Sequence, residues 1–299
     1  MPTGITWCDE TWNPISGCTP ISEGCANCYA AAMAKRLQAM GRKGYENGFE
    51  VAAHWEKRIQ DPLHWRRPRL IFVCSMGDLF HERVPDEWID SVFGIMAACH
   101  RHEWLGGHTF LILTKRPERM RRYLSARDLL ERWAHDGAQE IEDGDGVYDA
   151  ILTDSLPLSN VWLGVTVENQ ARADERIPIL LQTPAAHRFI SVEPMLGPVD
   201  IEMFVGSASR LCPACGLKWG HDHSVGGTGC NGIEWVICGG ESGPGYREMD
   251  PVWAKNLRWQ CKFNGVPFHL KQFSGFRPEK CPELDGVRHT ARPPFEEGA

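Results

Sequence analysis

The chain lacks an apolar core in its first ten residues, Met1 to Glu10, of the kind that a secretory leader carries. No stretch approaches the roughly twenty apolar residues that span a bilayer. A cytoplasmic protein with no membrane contact is expected. An excess of positive charge is also missing: 32 Lys and Arg stand against 39 Asp and Glu, a formal charge of -7. That balance argues against a globally basic nucleic-acid binder but leaves room for a local phosphate-binding patch. A chain of 299 residues buries a proper core without covalent staples, so its twelve cysteines read as metal ligands or core thiols rather than disulfides.

Three of those thiols, Cys18, Cys25 and Cys28, fall within eleven residues, just after the strand-like run Thr11 to Ile15. Three thiolates on one loop can hold three corners of an iron–sulfur cluster. The only other cysteine close by in sequence is Cys8, and without a fourth ligand one iron stays open to a substrate or cofactor. The alternatives are a zinc site of three cysteines completed by a histidine, or thiols packed as small hydrophobes. A second metal candidate follows at Cys212-Pro-Ala-Cys215-Gly216, with His221, His223 and Cys230 beyond it. Two thiolates plus two of those three groups would complete a tetrahedral zinc site, and Cys230 is favoured over either histidine. A segment so small and polar could hardly hold itself by hydrophobic burial. The competing reading is an irregular loop with incidental thiols.

Between these segments, short apolar runs alternate with helical patterns. The runs are Leu70 to Cys74, Thr109 to Leu113, Val161 to Val165, Arg188 to Val192, Glu234 to Cys238 and Pro267 to Leu270. Continuous apolar runs of this length suit strands buried on both faces, as in a parallel sheet. Asp86 to His100 has helical spacing, and another helix starts at Asp250-Pro251. The strand-then-helix order predicts an α/β fold: a partial (βα)6-type parallel barrel of six or seven strands over residues 1–275, a zinc-knuckle insert at 206–232 and a loose tail at 276–299. Polar residues cluster after the strands at Ser75 to Asp78, Lys115-Arg116, Glu168-Asn169, Glu193, Gly239-Gly240-Glu241 and Lys271-Gln272. A parallel barrel gathers its active site at those strand ends. Strand ends are also simply where polarity rises, so the set counts for more than any member.

Three further segments bear on partners. His54 to Arg58 and His64 to Arg69 interleave cations with aromatics, a composition able to contact phosphates and stack bases, or else to pack tryptophan on the barrel. Arg119 to Trp133 reads as one basic amphipathic helix with Met120, Tyr123, Leu124, Leu130 and Trp133 facing inward. Asp136 to Asp149, with six acids and no base, reads as a mobile acidic loop.

The cysteine loop ahead of such a barrel resembles the radical S-adenosylmethionine (SAM) superfamily, whose usual C-x3-C-x2-C becomes C-x6-C-x2-C here. Thr11 to Pro14, Gly24 to Ala30, Ser75 to Phe80, Leu113 to Pro117, Trp162 to Glu168, Ser191 to Pro194 and Gly239 to Gly243 are similar to a phage-associated, radical-SAM-like family of unknown function. The resemblance implies a 4Fe-4S cluster on Cys18, Cys25 and Cys28, reductive cleavage of SAM with an external reductant, and hydrogen abstraction from an unidentified substrate, with nucleic acid or a nucleotide as the leading guess. A three-Cys-motif protein is the implied partner. Two departures stand out: Asn27, not an aromatic, precedes the third cysteine, with Tyr29 after it as the adenine candidate; and Ser75 and Asp78 stand where a Gly-Gly-Glu run would contact the amino group. Glu168, Gly239, Gly240 and Glu241 are candidates for adenosine, ribose or substrate contacts, and Glu168, Glu193 and Lys115 for catalysis. The competing class is a non-catalytic iron–sulfur and zinc module that binds nucleic acid or a partner protein.

Overall fold

The computed structural model describes residues 3–53, 58–101, 107–141, 144–205 and 232–292. The zinc-knuckle candidates Cys212, Cys215, His221, His223 and Cys230 lie outside the described residues, as do His54 to Lys57. The elements in chain order are β1 (Glu10–Trp12), β2 (Ile15–Ser16), α1 (Tyr29–Ala39), β3 (Ala52–Ala53), β4 (Leu70–Val73), α2 (Asp86–Arg101), β5 (Thr109–Thr114), α3 (Pro117–Leu124), α4 (Leu129–Gln139) and α5 (Gly144–Leu152). They continue with β6 (Val161–Thr166), α6 (Gln170–Gln182), β7 (His187–Val192), β8 (Trp235–Gly239), α7 (Pro251–Phe263), β9 (Phe268–Gln272), β10 (Glu283–Leu284) and β11 (Val287–Arg288).

Seven strands pair in the order β1-β4-β5-β6-β7-β8-β9, each parallel to its neighbour, and curl into a half-barrel. The apolar runs serve both faces at period two. Ile71, Val73, Phe110, Ile112, Ile190 and Val236 join the helices in one core, while Leu70, Phe72, Leu111, Trp162, Phe189 and Trp235 fill the inside of the curl with Trp7. Gly164 on β6 makes room for that inner layer, since a Cβ there would sit 2.5 Å from the Phe189 ring. Asp250 caps α7 through the Val252 amide (2.8 Å) with Pro251 in the first turn, and Asn169 caps α6 through the Arg172 amide (3.1 Å). Among the described residues, no helix is long and apolar enough to cross a membrane.

Three expectations are corrected. The span Arg119 to Trp133 is two helices, because a turn at Ser125 to Asp128 folds α4 back, so that the Trp133 indole donates to the Tyr123 hydroxyl (2.9 Å) and Arg132 reaches the Asp90 carboxylate (2.8 Å). Most of the acidic stretch is helical: Asp136 to Gln139 end α4, and Gly144 to Asp149 open α5, whose Val147 and Ile151 are buried. The tail is packed up to Arg292. The Leu270 amide donates to the His289 carbonyl (2.8 Å), the Trp235 indole to the Ala291 carbonyl (3.0 Å), and Arg292 pairs with Asp9 (2.7 Å). A sheet edge with open carbonyls and amides recruits this segment despite its prolines and charges. In the segment His64 to Arg69, Trp65 packs against the core and under the Arg69 guanidinium (5.4 Å), and Arg69 pairs with Glu10 (2.8 Å).

Candidate functional site

At the carboxyl ends of the strands the half-barrel opens into a cavity of about 410 Å³, and Cys18, Cys25 and Cys28 all line it. Gly17 turns the chain out of β2 toward Cys18 with φ 92°, and a Cβ there would lie 2.0 Å from the Glu50 carbonyl oxygen, so only glycine fits. A 3-10 turn, Glu23–Cys25, then carries Cys25, and Cys28 stands in extended conformation at the start of α1. The three thiols are free and partly exposed. Among the described residues no three His, Cys, Asp or Glu side chains converge on a single-ion site.

Two buried carboxylates fasten this loop to the barrel. Glu168, just beyond β6 and wholly buried, accepts from Ser22 Oγ (2.5 Å) and Arg176 Nη1 (3.0 Å) and forms an ion pair with Lys115 Nζ (3.2 Å). The fit is close: a Cβ on Gly24 would lie 2.4 Å from Glu168 Cγ. Glu241, beyond β8, accepts from Asn27 Nδ2 (2.9 Å) and pairs with Arg247, whose Nη2 donates to the Glu23 carbonyl (2.9 Å). Burial pushes the Glu241 carboxyl up, but the bonds from Arg247 and Asn27 prevail and hold it below the ordinary range. Glu23 itself pairs with Arg172 (3.0 Å) and accepts from Asn169 Nδ2 (2.5 Å), which brings its carboxyl down to about 2, the Arg172 bond being the largest cause. Sequence reasoning missed Glu23, Arg172, Arg176 and Arg247, and read Asn27 only as a departure from the family pattern. They come together only through the fold, and no local spacing marks them.

The cysteines differ in electrostatics. Burial pushes the Cys18 thiol up to about 11 and the Asp78 charge adds to it, against the Arg116 guanidinium, whose Nη1 donates to Cys18 Sγ at 3.4 Å. Burial also raises Cys25, but backbone hydrogen bonds at Ile21 and Ser22 and the charge of Lys115 outweigh it and leave this thiol below its ordinary value.

The predicted residues part company at this mouth. Asp78 is buried and spends both oxygens on structure: Oδ1 accepts from Thr114 Oγ1 (2.7 Å) and the Phe80 amide (3.0 Å), Oδ2 from the Lys115 amide (3.1 Å) and Arg116 Nη1 (3.2 Å). It organises the β5 tip and has no lone pair left for a ligand's amino group. Ser75 lines the cavity and donates to Asn13 Oδ1 (3.1 Å), and its carbonyl accepts from the Tyr29 hydroxyl while the Tyr29 ring stays half exposed at the mouth. Glu168 is buried between Ser22, Lys115 and Arg176 and so braces the loop against the barrel. Gly240 is packed against Ser274, whose backbone nitrogen would lie 2.4 Å from a Cβ there, and Gly239 leaves space between Glu193 and Lys271. Glu193 lines the cavity and pairs with Lys271, and Lys115 lines it from β5.

No curated protein and no solved structure matches the chain. Residues 2–292 match the model of a family described as protein of unknown function (DUF5131), and the chain belongs to that family.

Proposed function

We propose that the protein is a radical SAM enzyme whose cluster is held by Cys18, Cys25 and Cys28 and whose cavity receives SAM and part of a substrate. The observation that carries this reading is the presence of all three cysteines on one open cavity at the carboxyl end of a parallel half-barrel. The donor set fits a cubane. Each thiolate of such a cluster would bind a different iron, so its ligands need not converge on one point, and cations lie beside two of the three thiols, Arg116 at Cys18 and Lys115 near Cys25. A 4Fe-4S cluster held by Cys18, Cys25 and Cys28 would keep one iron open for SAM and, reduced by an external donor, would supply the one electron that breaks the S–C5′ bond of SAM into methionine and a deoxyadenosyl radical. The chain's own part is to hold the loop still: Glu168, Glu241 and Arg247 fix Ser22, Asn27 and Glu23 between the cysteines. A volume of about 410 Å³ suits a small ligand, which favours an enzyme over a module with a filled mouth. Zinc on Cys212, Cys215 and Cys230, or on His221 or His223, belongs to the same reading, as do a nucleotide or nucleic-acid substrate and a three-Cys-motif partner.

Anaerobic reconstitution with iron and sulfide tests the assignment. Wild-type protein should gain about four irons per chain, and Cys18→Ala, Cys25→Ala and Cys28→Ala should each lose the cluster's visible absorption, whereas Cys281→Ala should keep it. Retention of a full cluster in all three loop variants would defeat the proposal.

A further inference from the structure

The helix that leaves the cysteine loop keeps its larger apolar side chains off the barrel. Cys28 stands at the start of α1, and of the 11 residues of the helix only Ala30 and Ala34 are buried. Tyr29, Met33 and Met40 are exposed by 49%, 39% and 58%. With Arg36 they form one stripe, spaced as neighbours on a helix face, that starts at the cavity mouth. A helix of this length draws most of its stability from packing an apolar face, and two alanines supply little of that. The same face is basic. Between Gly24 and Tyr45 the chain carries Lys35, Arg36, Arg42 and Lys43, all exposed, and no acid, although its net charge is -7. Lys35, Arg36 and Arg42 have no carboxylate partner among the described residues.

We infer that this face of α1 docks a small acidic electron-carrier protein. The partner follows from position and charge and rests on the proposed function, whose cluster needs an electron from outside. One electron leaves the carrier, which is oxidised, and enters the cluster, which is reduced; no atom is transferred. Because α1 begins at Cys28, a protein lying on Tyr29 and Met33 sits against the loop that would hold the cluster. Carboxylates on the carrier complement Lys35, Arg36 and Arg42 and set its approach to a chain that is acidic as a whole. Methionine gives adaptable apolar contact, and a helix about 16 Å long offers the small area of a transient electron-transfer encounter. A nucleic acid would use the cations but leave the methionines uncovered, since bases stack on aromatic rings and the stripe has one, Tyr29.

The test mixes reconstituted protein with flavodoxin hydroquinone, an acidic flavin carrier, at low salt and follows formation of the flavin semiquinone in stopped flow. The double variant Lys35→Glu/Arg36→Glu should react about tenfold more slowly than wild type, while its iron content is unchanged and its reduction by dithionite stays within about twofold. Met33→Asp, which alters the apolar stripe instead, should also slow the flavodoxin reaction. Added salt should slow wild type and leave the double variant nearly as it was. Equal flavodoxin rates in wild type and the double variant, or no transfer in either while dithionite reduces both, would overturn the docking face and leave the proposed function standing. Binding of an oligouridylate to wild type but not to the double variant, with equal flavodoxin rates, would give the face to nucleic acid instead. Wild-type protein that takes up no cluster would defeat the proposed function, and the carrier's site falls with it.

Discussion

Cys18 and Cys25 sit on one loop seven residues apart in sequence, yet their surroundings pull them in opposite directions. Burial and the Asp78 carboxylate push the Cys18 thiol up to about 11, while backbone donors and Lys115 draw Cys25 toward its thiolate. Because the thiolate is the nucleophile, limiting iodoacetamide at pH 7.5 should alkylate Cys25 of the metal-free protein well before Cys18, as read by peptide mass mapping. Equal labelling of the two would contradict the electrostatics described here. The thiols were legible in the sequence as a set, since three cysteines stand within eleven residues, but their differences were not. Those come from Asp78, Arg116 and Lys115, which reach the loop from other strands. For the same reason Asp78 was read as a ligand for the amino group: a carboxylate at a strand tip looks free until Thr114, Phe80, Lys115 and Arg116 are seen to occupy it.

The elements were legible where burial on both faces writes an unbroken apolar run, and each of the six runs from Leu70 to Leu270 became a strand of the sheet. Helix ends were less so. The break at Ser125 to Asp128 follows from the Tyr123, Trp133 and Asp90 contacts across three helices, which no local propensity encodes. Nor does any pattern announce the contact of α2 with α4. There Gly94 and Gly137 face each other, and a Cβ on Gly94 would lie 2.6 Å from the Trp133 carbonyl oxygen and 2.7 Å from Gly137 Cα. The obstruction is backbone, which cannot swing aside, so Gly94→Ala should destabilise the protein by about 1–3 kcal/mol in urea unfolding. An unchanged midpoint would mean that the two helices do not pack backbone to backbone.

At the scale of the whole molecule, the half-barrel is finished by a segment whose composition concealed its role. Residues Cys281 to Arg292 lie along β9 and reach back to Asp9 beside β1, with His269 buried under them. Burial pushes the His269 imidazole down to about 4, with the Arg292 charge contributing. The unfolded chain therefore binds a proton below its ordinary value of 6.5 that the folded chain refuses until about pH 4. Stability from this group is complete above pH 6.5 and declines as pH falls toward 4, by roughly 3 kcal/mol in all. Urea midpoints at pH 7 and pH 4.5 should differ more for wild type than for His269→Gln, and equal differences would remove His269 from the account. The half-barrel also gathers the residues of the proposed chemistry, because its parallel strands deliver the cysteine loop, the braces Glu168 and Glu241, and the Glu193–Lys271 pair to one mouth. The most direct test of that chemistry is to incubate fully reconstituted, dithionite-reduced protein with SAM under anaerobic conditions and quantify 5′-deoxyadenosine and methionine. The account predicts that both form in equal amounts and that neither forms with Cys25→Ala; a complete cluster that yields neither product would contradict it.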